Sequence, residues 1–431
     1  MVCQECIQIE LVATCTITEL SHMKKKPRFT SQIIQFLTIV VLSLGLGSQG
    51  SHGGVILQLQ HDPNSPAQFP WNWEFIQQNI RDIQAAGYTA ILISPHQKSC
   101  GISKGYNPED FTSFNSSHGS EQQLASLIKS SHQAGLHIYA DMVMNHMCQD
   151  HRFTYNRFRP EHFHHFGSIL NWNDEYQVEN GSLFGLEDLA QESPHVRQEV
   201  FAYLVKTNDM GFDGYRWDAA KHVPKWFWKD HIVNNVNAWG KYNFGEVVES
   251  DVDGLQRYVD TGMAVTDQSL YTAMADNFKF GGNLAALDGA GYAARNGEKA
   301  LTFVENHDYG PPPNRLLAYA FISAYPGYPS FYNVPLDDKA INNLIWIHEN
   351  LAKGPYINRY KDRNTLIFER SGHLLAGINQ SDTWAQRWVQ TSWRNMKLHD
   401  YSFHVEDKWT NNDGYVEVWV PPMSYVMLAP Q

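Results

Sequence analysis

The sequence predicts an α/β chain: a parallel (β/α)8 TIM barrel with an irregular insertion after its third strand and a C-terminal antiparallel β domain. Three observations predict it. Strand-like and helix-like segments alternate from about residue 55 to residue 353. Four of the apolar runs close on polar or acidic residues, in LHIYADMVMNH (Leu136–His146), GFDGYRWDAAKH (Gly211–His222), YNFGEVVES (Tyr242–Ser250) and LTFVENHD (Leu301–Asp308). Beyond Gly354 the helical pattern stops and short strands alternate with turn residues. In a parallel barrel the C-terminal strand ends gather around one mouth, where catalytic groups sit.

Each element has its own signal. Val55–Gln60 is an apolar run and the expected first strand. Trp73–Ala86 carries apolar residues at helical spacing and stops at Gly87. Thr89–Ser94, stopped by Pro95, is the second strand; Ser120–Ala134 is a helix with Leu124, Leu127 and Ile128 on one face, ended by Gly135. His137–Val143 follows as the third strand. The stretch 147–187 is rich in His, Asn and aromatic residues without sustained period, and a long irregular insertion of this kind is usually functional or disordered. Alternation resumes with a helix at Pro194–Asn208. Strands are then expected at Gly214–Trp217, Tyr242–Val247, Met263–Thr266, Ala300–Glu305 and Ser330–Tyr332. The resulting division is 51–146 and 188–353 for the barrel, 147–187 for the insertion and 354–431 for the β domain.

The N-terminal segment reads separately. Met23–Gly50 has a basic start, an apolar stretch Ile33–Leu46 and a small-residue tail. That is a secretory signal layout, too short for a good membrane span, with cleavage expected near 47–51. A signal begins at the chain start, so residues 1–22, with Cys3, Cys6 and Cys15, are expected to be an artefactual extension ahead of Met23. The alternative is a real extension that turns the apolar stretch into an anchor. The expected protein is secreted, extracellular or periplasmic, monomeric, and free of the membrane after cleavage. Cys100 and Cys148 then remain, each soon after a barrel strand, and an exported protein can pair them or leave them free. A formal charge of −12 excludes a typical nucleic-acid binder, which presents a basic face.

Arg216 and Asp218 are two apart on a strand, so both point toward the barrel interior. A guanidinium beside a carboxylate favours its ionised form, and Asp218 is expected to have a depressed pKa. Carboxylates from distant strands meeting at one mouth are the arrangement that glycoside hydrolysis requires.

The four segments, in this order, resemble the four signature regions of the α-amylase family, family 13 of the glycoside hydrolases. The resemblance runs from about Gly53 to the C-terminus and implies a retaining hydrolase of α-1,4-glucans such as starch, glycogen or maltooligosaccharides. By that resemblance Asp218 is the nucleophile, Glu246 the general acid/base and Asp308 the third carboxylate, which binds sugar hydroxyls. Arg216 orients Asp218, Asp141 supports Arg216, and His146 and His307 bond the sugar at the cleavage point. Tyr106, in KGYNPEDF, is the stacking tyrosine, and Lys221 and His222 lie on the leaving-group side. The insertion resembles the family's domain B, and the β domain its domain C.

The resemblance also implies calcium, a hard cation taking oxygen ligands. The matching positions are Asn145, Asp188 and the main-chain oxygen of His222. Glu187, Asp174 and Asp150 stand nearby, and Asp188 could instead cap a helix. His162, His164 and His165 lack the cysteines and spacing of a zinc site. Ser330 stands where a basic residue for a chloride site would be expected. Trp384, Trp388, Trp393 and Trp409 are either a surface glucan site or packing. The loop Tyr309–Pro313 is short and proline-stiffened, and leaves open an endo-acting amylase, a maltooligosaccharide-forming exo-amylase or a transglycosylase. A non-catalytic glucan binder would be expected to lack one of the three carboxylates.

Overall fold

A computed structural model describes residues 54–60, 71–101, 104–149 and 157–431, all within one compact unit spanning His52–Gln431. The expected leader and the residues before it lie outside the described residues. Eight parallel strands close into a barrel: β1 (Ile56–Leu59), β2 (Ala90–Ile93), β3 (His137–Met142), β4 (Gly214–Trp217), β5 (Tyr242–Gly245), β6 (Ala264–Thr266), β7 (Ala300–Phe303) and β8 (Tyr328–Tyr332). Each pairs with its sequence neighbours, and β1 closes on β8 through Ile56 opposite Ser330. All eight coincide with the expected runs.

Period two sorts the side chains. Ile56, Leu92, Tyr139, Tyr242, Phe244, Leu301 and Tyr328 form the interior layer of the barrel, while Leu57, Ile91 and Ile138 face the surrounding helices. Gly214 has no room for a side chain: a Cβ there would lie 2.6 Å from the Tyr242 carbonyl oxygen and 2.8 Å from the Tyr139 ring. The helices follow local signals. In α1 (Trp73–Ala85) the Asn72 side chain caps the Phe75 amide and Trp73, Ile76, Ile80 and Ile83 are buried. In α2 (Glu121–Gln133) Ser120 and Gln123 form a reciprocal capping box. Ser193 precedes α3 (Pro194–Asp209), whose proline stands in the first turn.

Two segments are more ordered than their sequence suggests. Within the insertion a short helix forms over Glu175–Asn180, with Asp174 accepting from the Tyr176 and Gln177 amides. Asp174 is therefore a helix cap. Between β4 and β5 the chain is helical over Lys225–Ala238, with a π-helical stretch at Trp228–Val233 that places the Trp228 indole N–H 2.9 Å from the Ala220 carbonyl. The C-terminal part holds a six-stranded antiparallel sheet and a two-stranded one. The latter pairs β9 (Ala385–Gln390) with β10 (Tyr415–Val420). Among the described residues no helix is long and apolar enough to cross a membrane.

Candidate active site

The groups that face the barrel mouth come from β1, β3, β4, β5 and the segment after β7. Arg216 is the hub. Its Nη1 lies 2.7 Å from both oxygens of Asp141 and 3.1 Å from Asp218 Oδ1, and its Nη2 lies 2.8 Å from Glu246 Oε1. Glu246 Oε2 accepts from the Ala219 backbone N–H at 2.9 Å. Ala219 sits in the left-handed region at φ 47°, ψ 38°, an uncommon conformation for alanine, and this turn aims its N–H at Glu246.

One guanidinium thus serves two buried carboxylates, Asp141 and Asp218, and the partly buried Glu246. Burial pushes the Asp218 carboxyl well above the usual carboxylate range, and the charge of Glu246 adds to that, against the pull of Arg216. The expected depression of Asp218 does not hold in this arrangement, because burial and the charge of Glu246 outweigh the pull of Arg216. Asp141 also rises, through burial first, despite its direct bonds to Arg216. A cluster with more carboxylates than cations favours retaining a proton.

Tyr106 donates to Asp141 Oδ2 at 2.9 Å, and its ring stacks on His307, centroids 5.2 Å apart. Burial, then the charge of Arg216, pushes the His307 imidazole well below its ordinary value, so the ring is neutral. His146 Nε2 donates to the Tyr106 carbonyl at 2.8 Å, and the Asn145 amide approaches its Nδ1 at 3.3 Å. Both nitrogens are engaged within the protein, so His146 fixes the Tyr106 loop. Asp308 stands at the rim, its side chain 49% exposed, with Oδ2 3.3 Å from His307 Nε2. Asn306 Oδ1 accepts the Asp308 and Tyr309 amides and so sets the short loop's turn.

Lys221 and His222 take hydrogen-bond partners outside the Arg216 cluster, while His222 stays close enough to feel the charge of Glu246. Lys221 pairs with Glu249 at 3.2 Å and reaches the Val248 carbonyl at 3.1 Å. His222 Nδ1 donates to the Val178 carbonyl of the insertion helix at 3.1 Å, and Trp172 meets its ring edge-on.

Sequence reasoning missed two groups on β1 and its extension. Gln58 donates to Gln60 and, at 3.1 Å, to His307 Nδ1; Gln60 donates to Asp141. The Ser330 hydroxyl lies 3.5 Å from Gln58 Oε1. Their signal was present: two glutamines at period two in an apolar strand, both buried, on the side of Ile56. A donor on Nδ1 makes that nitrogen the acceptor and leaves the ring proton on Nε2, facing the mouth.

Asn145 and Asp188 meet at the base of the insertion, where the Leu189 amide donates to the Asn145 carbonyl at 3.0 Å. Asn145 Oδ1 and Asp188 Oδ1 are buried without a hydrogen-bond partner. Burial pushes the Asp188 carboxyl up to about 7, and its other oxygen lies 2.6 Å from His164 Nδ1. Asp188 lies in a two-residue bridge with His146 and caps no helix. His164 also reaches Glu192, and His162 stacks on His195 at 4.3 Å. Among the described residues no group of three or more His, Cys, Asp or Glu side chains is placed to hold a metal.

Cys100 and Cys148 are joined, their Cα atoms 6.3 Å apart. The bond ties the loop carrying Tyr106 to the start of the insertion.

Residues 71–268 match the model of the α-amylase catalytic domain, and residues 374–428 the model of the α-amylase C-terminal domain. The chain belongs to the α-amylase family. An α-amylase of Thermomonospora curvata is 30% identical over 326 residues, covering 67% of this chain and 52% of that protein. An α-amylase-related protein of Drosophila auraria is 29% identical, covering 60% of this chain and 61% of its own length. The chain thus spans between about half and three fifths of these family relatives. The fold is shared with the α-amylase of Geobacillus thermoleovorans solved with acarbose (TM-score 0.76, 21% identity, 88% of this chain and 98% of that one). It is also shared with a three-domain cyclomaltodextrin glucanotransferase (TM-score 0.78, 22% identity, 88% and 99%).

Proposed function

We propose that this chain is a retaining α-glucan hydrolase, an endo-acting α-amylase. The observation that carries the reading is Arg216 bridging Asp141, Asp218 and Glu246 at the barrel mouth, beside Tyr106, His307 and Asp308. Retaining hydrolysis requires one carboxylate to attack the anomeric carbon and a second carboxyl to protonate the departing oxygen. Asp218 attacks and forms the glycosyl-enzyme; Glu246 gives its proton to the leaving group, then takes one from the incoming water. The clustered carboxylates and single guanidinium favour one retained proton, the resource this chemistry needs. On substrate binding that proton must lie on Glu246 and the charge on Asp218, with Arg216 held by both. Asp308 and the neutral His307 bond sugar hydroxyls, and the Tyr106 ring stacks on the sugar.

Asn145 and Asp188 fit a hard cation, since each keeps a buried, unpartnered oxygen. Calcium bound there, with the His222 main-chain oxygen as a further ligand, would supply structural cross-linking between the insertion and the barrel. Export through the 23–50 leader belongs to the same reading, as do the four-part division of the chain and monomeric action.

The test resolves products of the purified protein on soluble starch by length over time, with and without a calcium chelator. An early ladder of α-configured maltooligosaccharides is expected, reduced by chelation and lowered by several orders of magnitude in Asp218→Asn. One dominant short product from the start would replace endo-action with exo-action. No cleavage by a folded, calcium-supplied protein would sink the hydrolase reading.

A further inference from the structure

Outside the barrel mouth, exposed aromatic side chains gather on the outer face of the β9–β10 sheet. The inner face holds Ala385, Val389, Val416, Val418 and Val420, buried together, with Arg387 among them paired to Asp362 at 2.8 Å. The outer face carries Gln386 and Trp388 on β9, opposite Trp419 and Glu417 on β10. Trp384, just before β9, meets Trp419 with ring centroids 6.2 Å apart. Trp384 and Trp388 are 52% and 61% exposed, against 7% for Trp393, so of these three tryptophans only Trp393 belongs to the packing.

The rings are held. Glu417 accepts from the Trp419 indole N–H at 3.0 Å and from Gln386, and Trp388 donates to it as well. The Lys408 ammonium lies 5.8 Å from the Trp419 ring centre. An indole whose N–H is tied to a carboxylate in the sheet has lost much of its rotational freedom, so a ligand covering it costs less ordering entropy.

We infer that the Trp384–Trp388–Trp419 strip is a second binding site, for a neutral polyhydroxylated chain, the α-glucan itself. The occupant follows from the strip's composition. Flat apolar faces alternate with a carboxylate, an amide and an ammonium, which matches a sugar chain with apolar ring faces and hydroxyl edges. A lipid surface would have to bury Glu417 and Lys408 away from water. Glu417 and Glu406 stand near the Lys408 charge, so the strip carries both signs and favours no single ionic ligand. The site rests on the α-glucan reading for its ligand, and lets a polymer held at the sheet deliver segments to the barrel.

The test uses the full chain carrying Asp218→Asn, electrophoresed through gels containing amylopectin. Trp384→Ala/Trp388→Ala in that background is expected to weaken retardation by about tenfold in apparent Kd, the loss of roughly one buried aromatic anchor. Glu417→Ala, which leaves the rings but frees them, is expected to give a smaller loss. In the otherwise native chain the double variant is expected to cleave maltopentaose at the parental rate and granular starch more slowly. Unchanged retardation in both variants overturns the proposal. So does Trp388-dependent self-association on gel filtration, or Trp388-dependent binding to phosphatidylcholine vesicles, in place of amylopectin binding. Failure of the native chain to cleave maltopentaose would strike the hydrolase reading alone, because the gel still reports on the strip.

Discussion

Arg216 shows why a motif and its electrostatics are separate matters. Period two aims Arg216 and Asp218 into the barrel, but Asp141 and Glu246 reach the same guanidinium from neighbouring strands. Asp218 is consequently raised by burial and by Glu246, where sequence spacing alone argued for the opposite. Gln58 is the clearest unanticipated residue, since its donation to His307 Nδ1 selects the ring tautomer. Gln58→Leu keeps the approximate volume and removes that donor. We expect kcat/KM on maltooligosaccharides to fall by about tenfold with little change in Tm, in line with loss of one positioning hydrogen bond. Gln58→Glu is expected to raise the pKa of His307 and shift the pH–rate profile, which a merely structural role would not do. An unchanged profile in both variants would remove Gln58 from the site.

The loops after β2 and β3 act as one unit. Cys100 bonds Cys148, the Cys100 amide reaches the Asn107 carbonyl at 3.0 Å, and the Cys148 amide reaches Pro108 at 2.7 Å. Tyr106 therefore stands on a loop fastened at both sides. With the cysteines 48 positions apart in sequence, the chain-entropy argument gives at most about 4 kcal/mol of stabilisation. Cys100→Ser/Cys148→Ser is expected to lower Tm and to raise KM more than it lowers kcat, because the stacking ring loses its anchor. Thermal melts and steady-state kinetics check both parts; an unchanged KM would mean that His146 alone holds the loop. In the insertion, the helix Glu175–Asn180 was illegible because it is too short to show a period. Its order comes from Asp174 at its start and from Lys225, which pairs with Glu175 and Glu179.

Across the whole molecule, buried histidines are expected to weaken the fold at acid pH. Burial pushes His96 down to about 3 and His348 down to about 4, from 6.5. Both are neutral in the fold and take up protons on unfolding. Their contribution is present above pH 6.5 and is lost as pH falls from 6.5 toward their folded values. Across those windows the cost is on the order of 5 kcal/mol for His96 and on the order of 3 kcal/mol for His348. Denaturant midpoints between pH 7 and pH 4 are expected to fall steeply, and His348→Gln, at some cost in absolute stability, is expected to flatten the slope. A slope identical to the parent's would assign acid lability elsewhere.

The barrel strands, the helices α1 to α3, and the order of the acidic strand ends were determined by sequence, because hydrophobic period and capping residues are local properties. The grouping of Asp141, Asp218 and Glu246 around Arg216 could be anticipated once a parallel barrel was expected, since that fold brings strand ends together. The sharing of one cation, the nitrogen of His307 that carries the proton, the meeting of Cys100 with Cys148 and the outward-facing tryptophans emerged from the fold in three dimensions. Those outcomes depend on distances between residues far apart in the chain. Electrostatics and burial act through space, and the sequence records only order along the chain.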